Sequence, residues 1–284
     1  LEEENVEAHH FGGKMSSVSG FGKFGSSGAA MIKVDVAPDL DITNDKAVAV
    51  VIGNRIYRTK GVPIVEYAER DARIFRSYLT RTLGIRNNNI ISLTNASYAQ
   101  FREVFGTEEE YKGKLYSRVK QGYKVFVFYS GHGAPDVDEH TAYFVPTDCN
   151  PSEIKLTGYP VDLMLKNLAK LPTDDVTVVV DACFSGQTDQ DEFLIKEISP
   201  ALLKLKNPEV IKGISFFSAS EKDQVSSWYR EQRHGVFTYF FLAGMMGHAD
   251  KNEDNKVSYG EMDIYLKEKI PDKVSEISSG QREQ

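Results

Sequence analysis

The sequence is poor in cysteine and has no long apolar run or basic excess. Two cysteines, Cys149 and Cys183, occur among 284 residues, too few for a disulfide framework or a four-cysteine zinc site, so we expect a reducing compartment. The longest apolar stretch, 236–246, is interrupted by Thr238 and Gly244 and is shorter than the roughly 18 residues of a membrane-spanning helix. A formal net charge of −7 disfavours binding to nucleic-acid phosphates. These absences predict a cytoplasmic protein with neither a membrane nor a nucleic acid as its partner.

The first 45 residues differ in composition from the rest of the chain. The segment 10–30 is rich in Gly and Ser, and its apolar residues follow neither a helical nor a strand period. It also lacks the charged-then-apolar pattern of a secretory signal peptide. We therefore predict a flexible leader over residues 1–45 and one domain over residues 46–284.

Strand and helix patterns alternate through that domain. Apolar, β-branched runs predict strands at 46–53, 89–93, 123–129, 175–180 and 213–218. Helical periodicity predicts helices at 65–83, 98–120, 161–171, 236–247 and 259–270. This alternation is typical of an α/β fold in which helices cover both faces of a mostly parallel sheet, a three-layer αβα sandwich.

Two of the predicted strands end in residues that can carry chemistry. The third strand runs into His132, which lies between two glycines, and the fourth runs into Cys183. Taken singly, a histidine in a turn is more often incidental and a cysteine after an apolar strand is more often inert. Because ligands bind at the carboxyl ends of parallel strands, this topology brings a thiol and an imidazole to one edge of the sheet.

The residues around these positions resemble a known family. The matching motifs are KAVAVVIG at 46–53, ERDA at 69–72, YSGHG at 129–133, DACFSG at 181–186, SASEKDQVS at 218–226 and HGVFTY at 234–239. In this order, over residues 46–270, they resemble the caspase-like cysteine peptidases. This is the caspase, metacaspase and paracaspase group, and the chain is most similar to its bacterial members.

The resemblance implies a site and a reaction. Cys183 would be the nucleophile and His132 the general base, while the backbone N–H groups of Gly133 and Cys183 would form the oxyanion hole. No cofactor would be required, and the partner would be a protein or peptide substrate. The sequence identifies no regulatory partner. Cys149, between Asp148 and Asn150 in a predicted loop, would be a bystander.

The expected specificity depends on two aspartates. Asp71 and Asp181 match the positions at which metacaspases and paracaspases hold a basic residue, which would direct cleavage after Arg or Lys. Alternatively, Asp71 caps a helix and Asp181 orients a turn. Two further functions stay open: an Asp-directed, legumain-like or separase-like peptidase of the same clan, and a catalytically silent interaction module.

Caspase-like enzymes are often zymogens that are cut between their two halves. The polar stretch 187–212 contains the lysines Lys196, Lys204, Lys206 and Lys212, and the leader contains Lys14 and Lys23. A basic-selective enzyme could cut itself at these lysines. An ordinary, uncut loop is the equal alternative.

A twelve-residue segment, 250–261, nearly matches the EF-hand calcium loop. Its oxygen ligands would come from Asp250, Asn252, Asp254, the Lys256 carbonyl, Ser258 and Glu261. Asn255 stands where the pattern has glycine, and asparagine tolerates the left-handed backbone that this position needs. The alternative is a loop of the same shape that binds no Ca²⁺.

Overall fold

The computed structural model describes residues 32–136, 141–184, 213–219 and 228–281. The strands are β1 (Ala47–Gly53), β2 (Ile90–Thr94), β3 (Lys124–Ser130), β4 (Gly133–Asp136), β5 (Thr141–Phe144), β6 (Tyr159–Pro160), β7 (Val176–Asp181), β8 (Ile214–Ser218), β9 (Trp228–Tyr229) and β10 (His234–Gly235). The helices are α1 (Ala68–Arg81), α2 (Tyr98–Phe105), α3 (Lys114–Arg118), α4 (Ile154–Thr157), α5 (Val161–Leu168), α6 (Val236–Ala243) and α7 (Tyr259–Gln281).

The central sheet is parallel. Its described strands lie in the order β2-β1-β3-β7-β8, and every neighbouring pair is parallel. Every residue of β1 and of β7 is buried, which is why these strands appear in the sequence as continuous apolar runs. Two small antiparallel sheets, β4-β5-β6 and β9-β10, lie beyond the carboxyl ends of the central strands.

Helices pack on both faces of this sheet, as the sequence predicts. Alternate residues of β1 point to opposite faces, because the side-chain period of a strand is two. Ala47, Ala49 and Val51 join a core with residues of α1, α6 and α7. Val48, Val50 and Ile52 join a second core with residues of α2, α3 and α5. The three-layer αβα sandwich is therefore confirmed.

Two predicted helices differ in extent from the observed ones. The single helix expected over 98–120 is instead α2 and α3, because α2 ends at Gly106, whose φ of 89° lies outside the helical region. The helix expected to end at residue 270 continues to Gln281 through Pro271. Proline there removes one backbone donor without ending the helix.

Residues 32–45 form a packed segment, here called the strap, that crosses α1. Val34 and Ala37 are 2% and 3% exposed and belong to the core, and Oη of Tyr78 donates to the carbonyl of Val34 at 2.8 Å. The flexible leader predicted for residues 1–45 is therefore wrong over the strap. An irregular segment of this kind docks through a few side chains and carbonyls, so it leaves no periodic pattern in the sequence. Residues 1–31 lie outside the described residues.

Among the described residues, no helix has both the length and the apolar character needed to cross a bilayer.

Candidate active site

The sheet register brings His132 and Cys183 to the same edge. Ser130 of β3 is the register partner of Asp181 of β7, and the next amide, Gly131 N–H, donates to the Asp181 carbonyl at 3.2 Å. His132 lies two residues after Ser130, and Cys183 lies two residues after Asp181. Neighbouring strands in a sheet lie about 4.8 Å apart. The thiol and the imidazole therefore come from adjacent positions on neighbouring strand ends.

The chain after His132 runs directly against the cysteine. A side-chain carbon at Gly133 would lie 2.9 Å from the carbonyl oxygen of Cys183 and 2.5 Å from Cδ1 of Phe184. Both distances are too short for a real carbon, so this close approach requires glycine. The packing of Phe184 against this position is therefore one structural reason for glycine at 133.

The imidazole of His132 is fixed in one tautomer. Its Nε2 lies 2.9 Å from the carbonyl oxygen of Pro63. A carbonyl only accepts hydrogen bonds, so Nε2 carries the proton and Nδ1 of the neutral ring keeps its lone pair. Burial lowers the pKa of His132 to about 4. The ring is therefore neutral near pH 7 and available as a base.

The two cysteines lie in different surroundings. Cys183 is buried at the end of β7. Cys149 packs in a small apolar cluster with Tyr57 and Ile154, and its Sγ lies 3.2 Å from Oγ1 of Thr157. Burial raises the pKa of Cys149 to about 11. A thiol with this pKa is protonated at neutral pH and is a poor nucleophile.

Asp71 and Asp181 converge on the start of α6. Oδ2 of Asp71 accepts the Gly235 N–H at 2.9 Å, and Oδ2 of Asp181 accepts the Thr238 N–H at 3.3 Å and the Thr238 hydroxyl. Gly235 is the N-cap of α6 and has no side chain to cap it. The two carboxylates therefore satisfy backbone donors of the first turn of this helix, where a negative charge is also favoured.

Both carboxyl groups are buried, and this shifts their acid–base behaviour. Asp71 and Asp181 are 1% and 7% exposed. Burial raises the pKa of Asp71, and burial together with the nearby Asp71 charge raises the pKa of Asp181 to about 7. Asp71 also contacts Nδ1 of His234, whose Nε2 lies 3.2 Å from Oδ1 of Asp35. An imidazole thus lies between a strap carboxylate and an α1 carboxylate.

Comparison with known proteins decides the family. The family model for the caspase domain, of the C14 peptidases, matches residues 46–281, which is more than four fifths of the chain.

The chain belongs to the caspase-domain family.

Membership confirms the resemblance drawn from the sequence motifs and supports a cysteine-type peptidase activity, with proteins or peptides as substrates. The match names the caspase domain and no subgroup, so the similarity to bacterial members stays a prediction. No curated protein matches the chain.

The caspase domain also contains site residues that the sequence patterns missed. Pro63 acts through its backbone carbonyl, so no side-chain motif marks it. Tyr57 contacts His132 from 75 positions away in the sequence. Asn54 follows the buried strand β1 and bonds Ala96 and the Val145 carbonyl. Its position at a strand end could have identified it.

The EF-hand-like loop has part of the predicted geometry. Asn255 has φ of 63°, as expected at the glycine position, and Asp250 accepts the backbone N–H groups of Asp254 and Asn255. Glu261, however, accepts the Ser258 N–H at 2.8 Å while Ser258 Oγ accepts the Glu261 N–H. This is a capping box at the start of α7. Within the described residues, no three His, Cys, Asp or Glu side chains are grouped to hold a metal, and Ca²⁺ binding stays a prediction.

Some sequence predictions lie outside the described residues. These include the whole stretch 187–212 with its four lysines, the leader lysines Lys14 and Lys23, and most of the motif at 218–226.

Proposed function

We propose that this caspase domain is an endopeptidase that hydrolyses peptide bonds after Arg or Lys, with Cys183 as the nucleophile and His132 as the base. The observation that carries the proposal is the pairing of Ser130 with Asp181. It puts the imidazole and the thiol on adjacent strand ends, where a nucleophile and its base must meet.

The proposed reaction has two stages. Nδ1 of His132 takes the thiol proton of Cys183, and Sγ attacks the carbonyl carbon of the scissile bond. The N–H groups of Gly133 and Cys183 are the proposed donors to the oxyanion. The imidazolium then returns its proton to the leaving amine as the C–N bond breaks, which leaves a thioester. His132 next deprotonates a water molecule, which attacks the thioester and regenerates the thiol.

The two buried aspartates support specificity for a basic residue. The hydrogen bonds between Asp181 and the described residues all end on Oδ2, so Oδ1 is the proposed acceptor for a substrate guanidinium or ammonium group. A bound cation favours the ionised carboxylate, so it lowers the pKa of Asp181 relative to that in the enzyme without substrate. The acidic pair would repel a substrate Asp at the same place.

A panel of fluorogenic peptides tests the proposal. Four peptides that differ only in the residue before the reporter (Arg, Lys, Asp or Asn) are incubated with the full chain, with and without Ca²⁺. We expect turnover of the Arg and Lys peptides. Cleavage after Asp or Asn with none after Arg or Lys would reject the basic pocket in favour of an Asp-directed or legumain-like enzyme. No turnover of any peptide would reject the enzyme in favour of an interaction module.

The two cysteines provide a matched pair of variants. Cys183→Ala removes the nucleophile and should lower the initial rate by about a thousandfold or more. Cys149→Ala removes the other buried thiol and should leave the rate within about twofold of the original. A large loss of activity in Cys149→Ala, with activity retained in Cys183→Ala, would contradict the assignment of Cys183 as the nucleophile.

A further inference from the structure

The main chain of the proposed base is held by two buried tyrosines. The N–H of His132 donates to Oη of Tyr57 at 2.8 Å. The carbonyl of His132 accepts from Oη of Tyr129 at 2.7 Å and from the Val145 N–H at 3.1 Å. Tyr57 and Tyr129 are 8% and 1% exposed, so water does not compete freely for these hydroxyls. Side chains therefore hold both the N–H and the carbonyl of His132.

Tyr57 also contacts the imidazole ring itself. The two ring centroids are 4.8 Å apart and the ring planes meet at 40°. Pro63, which holds Nε2 of His132, lies in the same connection between β1 and α1. This connection thus fixes three properties of the base: its backbone position, the plane of its ring and the nitrogen that carries the proton.

Tyr129 reaches the His132 carbonyl by folding back over Gly131. A side-chain carbon at Gly131 would lie 2.6 Å from Oη of Tyr129 and 3.0 Å from Cβ of Asn54. Any other residue would push the hydroxyl away from the carbonyl. Glycine at position 131 is therefore needed for the hydrogen bond from Tyr129 to the His132 carbonyl.

The chemistry of the two phenols suits a fixed scaffold. Burial raises the pKa of Tyr57 and of Tyr129, so both hydroxyls stay protonated at the pH of catalysis. Oη of Tyr57 accepts the His132 N–H and donates to the Asn54 carbonyl at 3.2 Å. It therefore connects the end of β1 to the backbone of the base by two hydrogen bonds.

We propose that Tyr57 is a positioning residue for the peptidase reaction, and that Tyr129 supports it. Tyr57 holds the backbone and ring of His132 so that Nδ1 faces the thiol of Cys183. The proposal rests on the function proposed above, since it concerns the same base. In this proposal Tyr57 exchanges no proton with the thiol or the substrate and acts through His132.

Three variants, each made in a Cys149→Ala background, test this role. Tyr57→Phe keeps the ring and removes the hydroxyl. We expect kcat for the Arg peptide to fall about tenfold, and KM to change by less than about twofold, since one hydrogen bond to the base is lost and the pocket is intact. Tyr57→Leu also removes the ring contact and should lower kcat by about a hundredfold. Tyr129→Phe tests the other side of His132 and should also lower kcat without raising KM.

Tyr159→Phe is the matched control. Tyr159 is fully buried, and its Oη donates to the Gly106 carbonyl at 2.9 Å, so this variant also removes a buried, hydrogen-bonded tyrosine hydroxyl. It lies in the core between α2 and α5. We expect a similar loss of thermal stability and an unchanged kcat per folded molecule.

Alkylation of Cys183 by iodoacetamide at pH 7 gives a second readout that needs no peptide substrate. Its stoichiometry counts the folded sites, and its rate reports the transfer of the thiol proton to His132. We expect slower alkylation in both Tyr57 variants and in Tyr129→Phe, but not in Tyr159→Phe.

The outcomes separate this inference from the function on which it rests. If the starting chain cleaves no peptide but Tyr57→Phe and Tyr129→Phe slow its alkylation, the proposed function fails and the positioning role holds. Unchanged kcat and alkylation rate per folded site in Tyr57→Phe, or in Tyr129→Phe if Tyr57→Phe does not fold, would overturn the positioning role. An equal loss in Tyr159→Phe would overturn it as well.

Discussion

Asp181 is the residue whose protonation most directly links folding to the proposed specificity. Its carboxyl group is buried beside Asp71, and its pKa is raised to about 7, against about 3.9 in an unfolded chain. The folded state therefore binds a proton more tightly than the unfolded state. The stability that this proton contributes is complete below about pH 4 and is lost as the pH rises through 7.

We predict that Asp181→Asn makes the stability of the fold less sensitive to a rise in pH from 5 to 7.5. Asparagine cannot ionise, but its Oδ1 can still accept the hydrogen bonds of Thr238. The melting temperature of the original chain should fall between pH 5 and 7.5, where the folded state alone holds this proton, and that of the variant should fall less, at about 2–4 °C for each kcal/mol of difference. Thermal melts at four pH values in one buffer system would measure this.

An exposed carboxylate on the strap provides the control. Asp39 forms an ion pair with the exposed Arg81, and Asp39→Asn should keep the pH dependence of the original chain. If Asp181→Asn melts with the same pH dependence as Asp39→Asn, the raised pKa of Asp181 is contradicted.

The sequence can point to those proposed site residues whose own side chains would carry the chemistry. His132 and Cys183 stand at the ends of recognisable strands, and the parallel topology alone brings them together. Tyr57 and Pro63 could not be predicted in this way. Their contacts depend on the path of the connection between β1 and α1, and Pro63 acts through a carbonyl that every residue possesses.

At the scale of elements, the capping box of α7 competes with the predicted calcium loop for the same carboxylate. Both oxygens of Glu261 accept hydrogen bonds within the loop: Oε1 accepts the Asn252 N–H, and Oε2 accepts the N–H and the hydroxyl of Ser258. Burial raises the pKa of Glu261, but the hydrogen bonds that its carboxylate accepts have the larger combined effect. The pKa is therefore lowered. The side chain is therefore ionised at neutral pH, whether it caps the helix or binds a cation.

The calcium prediction is tested by heat and by a luminescent ion. If the loop binds Ca²⁺, a Ca²⁺ concentration a hundred times Kd should add about 2.7 kcal/mol of stability and raise the melting temperature by several degrees. Terbium luminescence excited through Tyr259, which lies inside the loop, reports binding directly. Glu261→Gln should abolish both responses.

Asp263→Asn is the matched variant for this test. Asp263 lies in the same helix, pairs with Lys267 on the exposed surface and provides none of the predicted ligands. The Ca²⁺ response should persist in this variant. A melting temperature that ignores Ca²⁺ in the original chain, with no terbium signal, would reject the calcium loop and leave Glu261 with its capping role.

Element boundaries followed the sequence where burial was continuous. The apolar runs of β1, β3 and β7 gave their limits to within about two residues, because both faces of a central strand need apolar side chains. The long helix predicted over 98–120 failed because polar residues continue the helical pattern across Gly106, while the φ of 89° at that residue ends α2. The spacing of polar and apolar residues does not reveal where the backbone leaves the helical conformation.

At the scale of the whole molecule, the strap joins chain from outside the family match to the domain within it. Asp35 pairs with Arg70 of α1 at 2.6 Å and lies 3.2 Å from Nε2 of the fully buried His234. His234 in turn contacts Asp71. The strap is thereby connected through one imidazole to a carboxylate of the proposed specificity pocket.

We predict that Asp35→Ala destabilises the molecule more than Asp39→Ala does. Asp35 faces a buried imidazole as well as a guanidinium, whereas the ion pair of Asp39 is with the exposed Arg81. Removal of Asp35 should lower the melting temperature by a few degrees, and removal of Asp39 by less than about one degree. Equal melting temperatures in the two variants would show that the strap is not coupled to His234.

The attachment of α6 to Asp71 and Asp181 constrains any redesign of this molecule. A protein engineer who replaces both carboxylates with basic side chains, to retarget cleavage towards acidic residues, also removes the acceptors for Gly235 and Thr238 and brings cations to the positive end of a helix. Such a variant is expected to lose its fold before it gains a new substrate. A workable design would first provide other acceptors for these N–H groups. A side chain at position 235 cannot be one of them, because a Cβ there would lie 2.2 Å from Oδ2 of Asp181.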